Sequence, residues 1–481
     1  MELTPQQKTI IDTIKDDSCH LLKINAVAGA GKTSTLVSIS ETLNIKHGLY
    51  LAFNKAIADE AKTKFPNTIE CRTLHSLAYA FIVAGTDRKL QELTIDDIVE
   101  PTLRPKERFE VIQLLNEFFS SASLDIEEFL VDNPLLPFCY KYLHLMEDAK
   151  MNSTFGFILK RFQVLVHLNM LKLPHYDLLM LDEAGDTTGC SLDLFNHIPA
   201  TKKVMVGDVA QNINSFMHTI NGFEEMSDVG IELPLTQSFR VSKEIAKEVE
   251  VFAKKYINKK MSFEGIPIKD KTITTMAYLS RTNAQLVDRM IDLHASRTTY
   301  TLLRPLISIF ALPLAIANIN NPNWKPSAEF IHLSAAAERY DDSPELQLRY
   351  KSKLGYIKAY FAHDIQIQSA ITLVLKHTSK KVIETYFTAK VMNKPRQKVT
   401  LSTAHTSKGY EFDCVYIEGD LNYSVEKSID VEDEDLSIIY LYYTACTRAK
   451  KQLINATGLK YVKGSRKIDF EIFDADPKIH Y

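Results

Sequence analysis

Apolar positions along this chain alternate between short continuous runs and helical spacings. Residues 20–26 form an apolar run, 32–43 have helical spacing, 49–53 read as a second strand, and 54–65 are helical again. This alternation predicts βαβ units on a parallel sheet. Residues 86–170 carry helical spacing rich in Leu and Phe and almost no strand signal, which predicts a helical insertion. Strand pattern resumes at 176–181 and 203–206. A second alternating region begins near Ile231, with strands at 276–279, 398–402 and 414–417, interrupted by mostly helical text over 290–390.

The pattern therefore predicts two α/β domains with helical insertions: 1–85 with 171–230, interrupted by 86–170, and 231–289 with 391–481, interrupted by 290–390. A chain of 481 residues is too long for one core, and about two to four domains are expected. The longest apolar stretch, 306–317, contains Pro313 and falls short of the roughly 20 residues a membrane helix needs. It is expected to be core. The acidic run 431–435 is expected to be a solvated loop leading into a helix.

Net charge is -3, which excludes a chain coated in basic residues but leaves room for a local basic groove. Six scattered cysteines with no CxxC pair predict neither a zinc site nor a disulfide framework, and fit free thiols in a reducing cytoplasm. Met1 to Thr4 has neither the basic nor the apolar region of a signal peptide. The expected location is cytoplasmic, nucleoid or nuclear, with no membrane association.

Chemistry first shows in Ala26-Val27-Ala28-Gly29-Ala30-Gly31-Lys32-Thr33, followed by Ser34. The segment leaves a strand and opens a helix, as a P-loop must. Small residues let the backbone wrap phosphates, and the N–H groups at the helix start point at the anion. Lys32 should reach the β- and γ-phosphates, and the Thr33 hydroxyl should hold Mg²⁺. Ala26 stands where the general pattern has Gly. A second element, Leu178 to Glu183, ends an apolar strand in two carboxylates. Asp182 would hold Mg²⁺ through its water shell, and Glu183 would take a proton from the attacking water.

With these two motifs the chain resembles the UvrD/Rep/PcrA group of superfamily 1 helicases, from Leu3 to about Ala456. Tyr50-Leu51-Ala52-Phe53-Asn54-Lys55 and Thr73-Leu74-His75-Ser76-Leu77 resemble most closely the helicase part of the F-box DNA helicases; an F-box is not expected ahead of the core. The resemblance implies two recA-like domains with ATP in the cleft between them. It gives Gln7, in Leu3-Thr4-Pro5-Gln6-Gln7, the adenine edge. Gln211, in Gly207-Asp208-Val209-Ala210-Gln211, would lie near the γ-phosphate. In Gln237-Ser238-Phe239-Arg240, Phe239 would stack on adenine and Arg240 would be an arginine finger. Glu411, after His405-Thr406-Ser407-Lys408-Gly409-Tyr410, would bind ribose. Arg448, in Tyr443-Thr444-Ala445-Cys446-Thr447-Arg448, would be the second finger.

The resemblance also implies a track for single-stranded DNA, with candidates Phe53, Asn54, His75, Phe216 and His405, combining backbone contacts with stacking. Three positions depart from the family: Gly185 stands for Gln, Asn214 for Tyr and Met217 for Arg. They bear on coupling rather than on ATP binding. The expectation is a monomeric 3′→5′ DNA helicase or translocase that uses ATP and Mg²⁺ and prefers DNA with a 3′ single-stranded tail. The alternatives are a protein-stripping translocase with little unwinding and an ATP-gated single-strand binding module.

Overall fold

The computed structural model describes residues 3–213, 218–321, 323–433 and 435–464. The chain divides into two compact units, Met1–Phe239 and Arg240–Tyr481.

The strands of the first unit are β1 (Leu21–Ala26), β2 (Gly48–Leu51), β3 (Ile69–Arg72), β4 (Tyr176–Leu181), β5 (Thr187–Thr188), β6 (Ala200–Gly207), β7 (Thr219–Ile220) and β8 (Ile231–Leu235). Six of them make one parallel sheet in the order β3-β2-β4-β6-β1-β8, while β5 and β7 pair antiparallel beside it. Strands covered on both faces read as continuous apolar runs, which is why β2 and β4 were legible. Lys23 breaks the run in β1. It is buried, and its ammonium donates to the carbonyl of Met226 at 2.8 Å and faces Glu232 of β8 at 3.7 Å.

Pairing of β8 with β1 corrects the domain limit drawn from the pattern. Residues 231–235, assigned to the second region, complete the first sheet. An alternating segment looks the same whichever sheet it joins, so only the pairing reveals its partner.

The insertion between β3 and β4 is helical as expected, with helices Pro105–Ser120, Ile126–Phe129, Leu136–Glu147 and Phe155–His167. Its apolar faces merge with the helices over the sheet in one continuous core that includes Leu77, Leu115, Phe119, Phe162 and Phe195.

A strand that straddles the division, β9 (Gln237–Ser242), pairs with β10 (Glu264–Ile266). The main sheet of the second unit uses β11 (Met276–Ser280), β12 (Thr301–Leu302), β13 (Val399–Thr403), β14 (Phe412–Ile417) and β15 (Ala449–Ile454). All are parallel, in the order β12-β13-β11-β14-β15.

Between β12 and β13 lie helices Leu306–Asn318, Ile331–Asp341, Pro344–Arg349, Lys353–Tyr360 and Ile365–Met392, the last broken at Thr378. The apolar stretch around Pro313 is the first of these helices, and Ile309, Phe310 and Ile316 are buried in the unit's core, as expected. In the acidic run, Asp435 Oδ1 accepts the backbone N–H of Ser437, the first residue of the next helix, at 2.8 Å. Among the described residues no helix is long and apolar enough to cross a membrane.

Parallel strands leave all their C-terminal ends at one edge of a sheet, where loops can converge. In the first unit that edge gathers the loops after β1, β2, β3, β4 and β6. In the second, His405 follows the C-terminal end of β13, whereas Glu411 and Arg448 precede β14 and β15 and so lie at the opposite edge.

Candidate nucleotide and strand sites

The loop after β1 turns through Gly29 and Gly31, both at positive φ (74° and 81°), which side chains disfavour. A Cβ on Gly31 would sit 3.5 Å from the Gln7 amide and 3.6 Å from the Phe239 ring. Ala28 and Ala30 are buried, Thr33 is half-buried and Ser34 is exposed. Helix Lys32–Thr42 then starts with no side-chain cap at its N-terminus. Its first N–H groups are thus not taken up by a capping side chain, and the positive end of the helix dipole favours an anion there.

Two expected adenine contacts border this loop. Gln7 is buried on helix Pro5–Lys15, where its carbonyl oxygen accepts the Thr4 N–H at 3.0 Å and its amide donates to Thr35 at 3.0 Å. Phe239 is 44% exposed, and its backbone N–H donates to the Gly29 carbonyl at 2.8 Å. An aromatic face open to solvent beside a phosphate loop is suited to stacking on a base. Neighbouring Gln6 exchanges two hydrogen bonds with Thr236, at 2.9 and 3.0 Å, and so pins helix Pro5–Lys15 to the segment that carries Phe239.

The acidic pair falls where the pattern put it, just past β4. Lys32 Nζ contacts Glu183 Oε1 at 2.7 Å. Burial by itself would discharge Lys32, but Glu183, Asp182 and Asp208 outweigh it and hold its pKa above the ordinary lysine value. Burial acts on Asp182 as well and, helped by the charge of Glu183, raises its pKa against the opposing pull of Lys32 and Tyr50. Glu183 adopts a left-handed backbone with φ of 52°. Such a conformation costs of order 1–3 kcal/mol for a residue with a side chain and is typical of functional turns.

Tyr50 is a contact the sequence reading missed. Its hydroxyl donates to Asp182 Oδ2 at 2.5 Å from inside β2, while Asp182 Oδ1 accepts the Glu183 N–H at 2.9 Å. Burial, then Asp182, raise the Tyr50 pKa, so the phenol keeps its proton and remains a donor. The one signal available was a Tyr in an otherwise aliphatic strand.

Gln211 lies in the turn Val209–Gln211, buried, with its amide donating to Asp208 Oδ2 at 2.7 Å. Gly185 explains itself here. A Cβ at that position would meet the Asp208 carbonyl at 2.6 Å, and one at Gly207 would meet the Gly185 nitrogen at 2.7 Å. The acidic loop and the Gln211 loop touch backbone to backbone, with no room for the side chain found in the resembling family.

Among strand-binding candidates, Phe53 is 46% exposed after β2. Asn54 spends its side-chain oxygen capping helix Lys55–Ala61 through the Ile57 N–H at 2.9 Å, a structural role. His75 opens helix Leu74–Ile82 with its ring edge-on to Phe155 at 6.5 Å. It reaches the surface, yet enough protein surrounds it to lower its pKa. It is therefore a neutral ring at pH 7. His405 is half-buried beyond β13. Phe216, with Asn214 and Met217, lies outside the described residues.

In the second unit the structure brings Arg240, Glu411 and Arg448 together. Arg240 Nε contacts Glu411 Oε2 at 2.5 Å, and Lys450 approaches Glu411 at 4.0 Å. Arg448 is buried, with Nε donating to the Thr444 carbonyl at 3.0 Å, Nη2 to Thr447 Oγ1 at 3.1 Å and Nη1 to the Tyr410 carbonyl at 3.4 Å.

A family model described as an AAA domain matches residues 6–217, and one described as a UvrD-like helicase C-terminal domain matches 332–457. F-box DNA helicase protein 1 of Schizosaccharomyces pombe is 25% identical over 94% of this chain and 57% of its own length. F-box DNA helicase 1 of Gallus gallus is 25% identical over 96% of this chain and 50% of its own. The chain spans about half the length of these relatives.

Proposed function

This chain belongs to the UvrD-like helicase family, and on that premise we propose that it is an ATP-driven DNA helicase or translocase moving 3′→5′ on single strands. The observation that carries the reading is the phosphate loop after β1, with an uncapped helix N-terminus and a lysine already held by the carboxylate that would activate water.

In this reading the Gly31 turn and the start of helix Lys32–Thr42 receive the phosphates, while Lys32 leaves Glu183 for the β- and γ-oxygens. That exchange releases Glu183 to accept a proton from the attacking water. Thr33 and Asp182 are the residues that would hold Mg²⁺, whose charge neutralises the phosphates when bound; the fixed plane of Asp182, gripped by Tyr50 and the Glu183 amide, fits that task. Phe239 stacks on adenine and Gln7 meets its edge. Gln211 senses the γ-phosphate. Arg240 and Glu411 form one charge pair, so engaging γ-phosphate and ribose replaces that pair rather than exposing two new charges. Arg448 serves as the second finger after giving up its backbone carbonyl contacts. Phe53 and His75 in the first unit and His405 in the second are the described candidates for stacking on a strand, and Asn54 orders the turn that presents Phe53.

The test is ATP turnover with and without single-stranded DNA, followed by unwinding of duplexes bearing a 3′ or a 5′ tail. Turnover should rise with the strand, and the 3′ tail should be preferred. Glu183→Gln should keep ATP binding and lose about 10²–10⁴-fold in turnover. Strand-stimulated turnover without unwinding would select the protein-stripping translocase, and strand binding gated by ATP without turnover the binding module. Preference for a 5′ tail would reverse the polarity, and turnover indifferent to DNA would overturn the motor.

A further inference from the structure

At the edge of the first sheet opposite the phosphate loop, two helices end side by side just before they feed β4 and β6. His167 is the last residue of Phe155–His167, and His197 is the last of Gly189–His197. Asp193, one turn before His197, lies between them. His167 Nδ1 is 3.1 Å from both carboxylate oxygens, and His197 Nδ1 is 3.1 Å from Oδ1 and 2.9 Å from the Asp193 carbonyl. The two rings are 4.0 Å apart between centroids, and one ligand atom from each of the three residues lies within 4.8 Å of the others.

We propose that His167, Asp193 and His197 form a site for a divalent transition metal of the zinc type, clamping the helical insertion to the sheet domain. The spacing fits. Zn–N and Zn–O bonds of about 2.0–2.2 Å in a tetrahedron put neighbouring ligand atoms about 3.3 Å apart, close to the 3.1 Å that separates each histidine Nδ1 from the Asp193 carboxylate. Two imidazoles and a carboxylate are a donor set for such a metal, with water in the fourth position. Side-chain exposures of 34% and 37% for the histidines leave an entry path, while Asp193 at 14% is held in place.

Two further features favour a cation here. Helix Phe155–His167 points its C-terminal, negative end at the cluster, whereas the Lys203 ammonium already meets the last-turn carbonyls of Phe195 and Asn196 in the other helix, at 2.9 and 2.6 Å. A supporting shell is also built: Gln163, fully buried, donates to Asp193 Oδ2 at 3.0 Å and is itself fixed by Lys160 at 2.6 Å. Such outer contacts orient metal-binding carboxylates. This site is independent of the nucleotide reading, since its elements meet at the other edge of the sheet.

The test is titration of the chelator-treated full chain with Co²⁺, in excess Mg²⁺ to occupy hard oxygen sites. A single saturable Co²⁺ with the visible bands of a tetrahedral ligand field, displaced by Zn²⁺, is expected. His197→Ala and Asp193→Asn should abolish it, and Gln163→Ala should weaken it about tenfold. Zn²⁺ should raise the melting temperature of the parent chain and not of His197→Ala; if that variant fails to fold, the more conservative His167→Gln gives the same reading. Absence of saturable binding, or binding unchanged by loss of either histidine, would overturn the site.

Discussion

At the scale of single residues, the acidic pair shows how chemistry depends on a neighbour no motif names. Asp182 is fixed from below by Tyr50, a phenol in the next strand. Tyr50→Phe removes one donor from a buried carboxylate and should cost about 1–3 kcal/mol of stability. If Tyr50 positions Asp182 for Mg²⁺, the variant should need about tenfold more Mg²⁺ for half-maximal ATP turnover, as expected for an outer contact, while turnover at saturating Mg²⁺ is largely kept. An unchanged Mg²⁺ dependence together with a lower melting temperature would reduce Tyr50 to a core residue.

Elements add constraints that side chains cannot reveal singly. The loops after β4 and β6 meet through Gly185 and Gly207, with 2.6 Å between a hypothetical Gly185 Cβ and the Asp208 carbonyl. Gly185→Gln, which supplies the residue of the resembling family, must push that backbone aside. A destabilisation of about 1–3 kcal/mol is expected, seen as a lower melting temperature, with ATP turnover falling because Gln211 moves with Asp208. A variant as stable and active as the parent would show that the loops are not locked.

The second unit has its own element-level signature. Asp420, at the start of helix Gly419–Val431, accepts the backbone N–H groups of Arg281 and Thr282 at 3.1 and 2.9 Å, tying the end of β14 to the end of β11. Burial outweighs those bonds and raises its pKa to about 6. A carboxyl with a raised folded-state pKa binds its proton more tightly folded than unfolded. Its contribution is fully present below about pH 4 and is lost as pH rises to about 6, by up to about 3 kcal/mol. Asp413 has the opposite sign. Burial pushes it up, but Thr274 and the lysines Lys450 and Lys451 hold it at about 2, so its stabilisation is lost only as pH falls below 4. Denaturant melts at pH 4 and pH 7 should therefore differ less in Asp420→Asn than in the parent chain; an identical pH dependence would contradict the assignment.

Across the whole molecule, a net charge of -3 means that the proposed binding to DNA must come from local groups rather than from overall attraction. Affinity for single strands should still fall with salt, with a logarithmic slope of about -0.7 for each phosphate contacted. Affinity that ignores salt would leave stacking as the sole contact and remove the basic groove from the reading.

The sequence by itself determined the local layout of the candidate nucleotide site. A phosphate loop and an acidic strand end are local devices, built from residues close in the chain, so their spacing is their signature; the Gln211 turn was reached through the family resemblance. The apolar runs of β2 and β4 and the helical insertions were legible for the same reason: burial on both faces, or on one helical face, imposes a period on the sequence. What tertiary structure decided are matters of partnership. That 231–235 joins the first sheet, that Tyr50 holds Asp182, that Gly185 is required by a backbone 23 residues away at Asp208, and that His167 meets Asp193 and His197 all rest on contacts between segments far apart in sequence or set by strand order. Side-chain periodicity says which face of a segment is buried; it does not say against what, because the same apolar face satisfies the same free-energy demand beside any complementary neighbour.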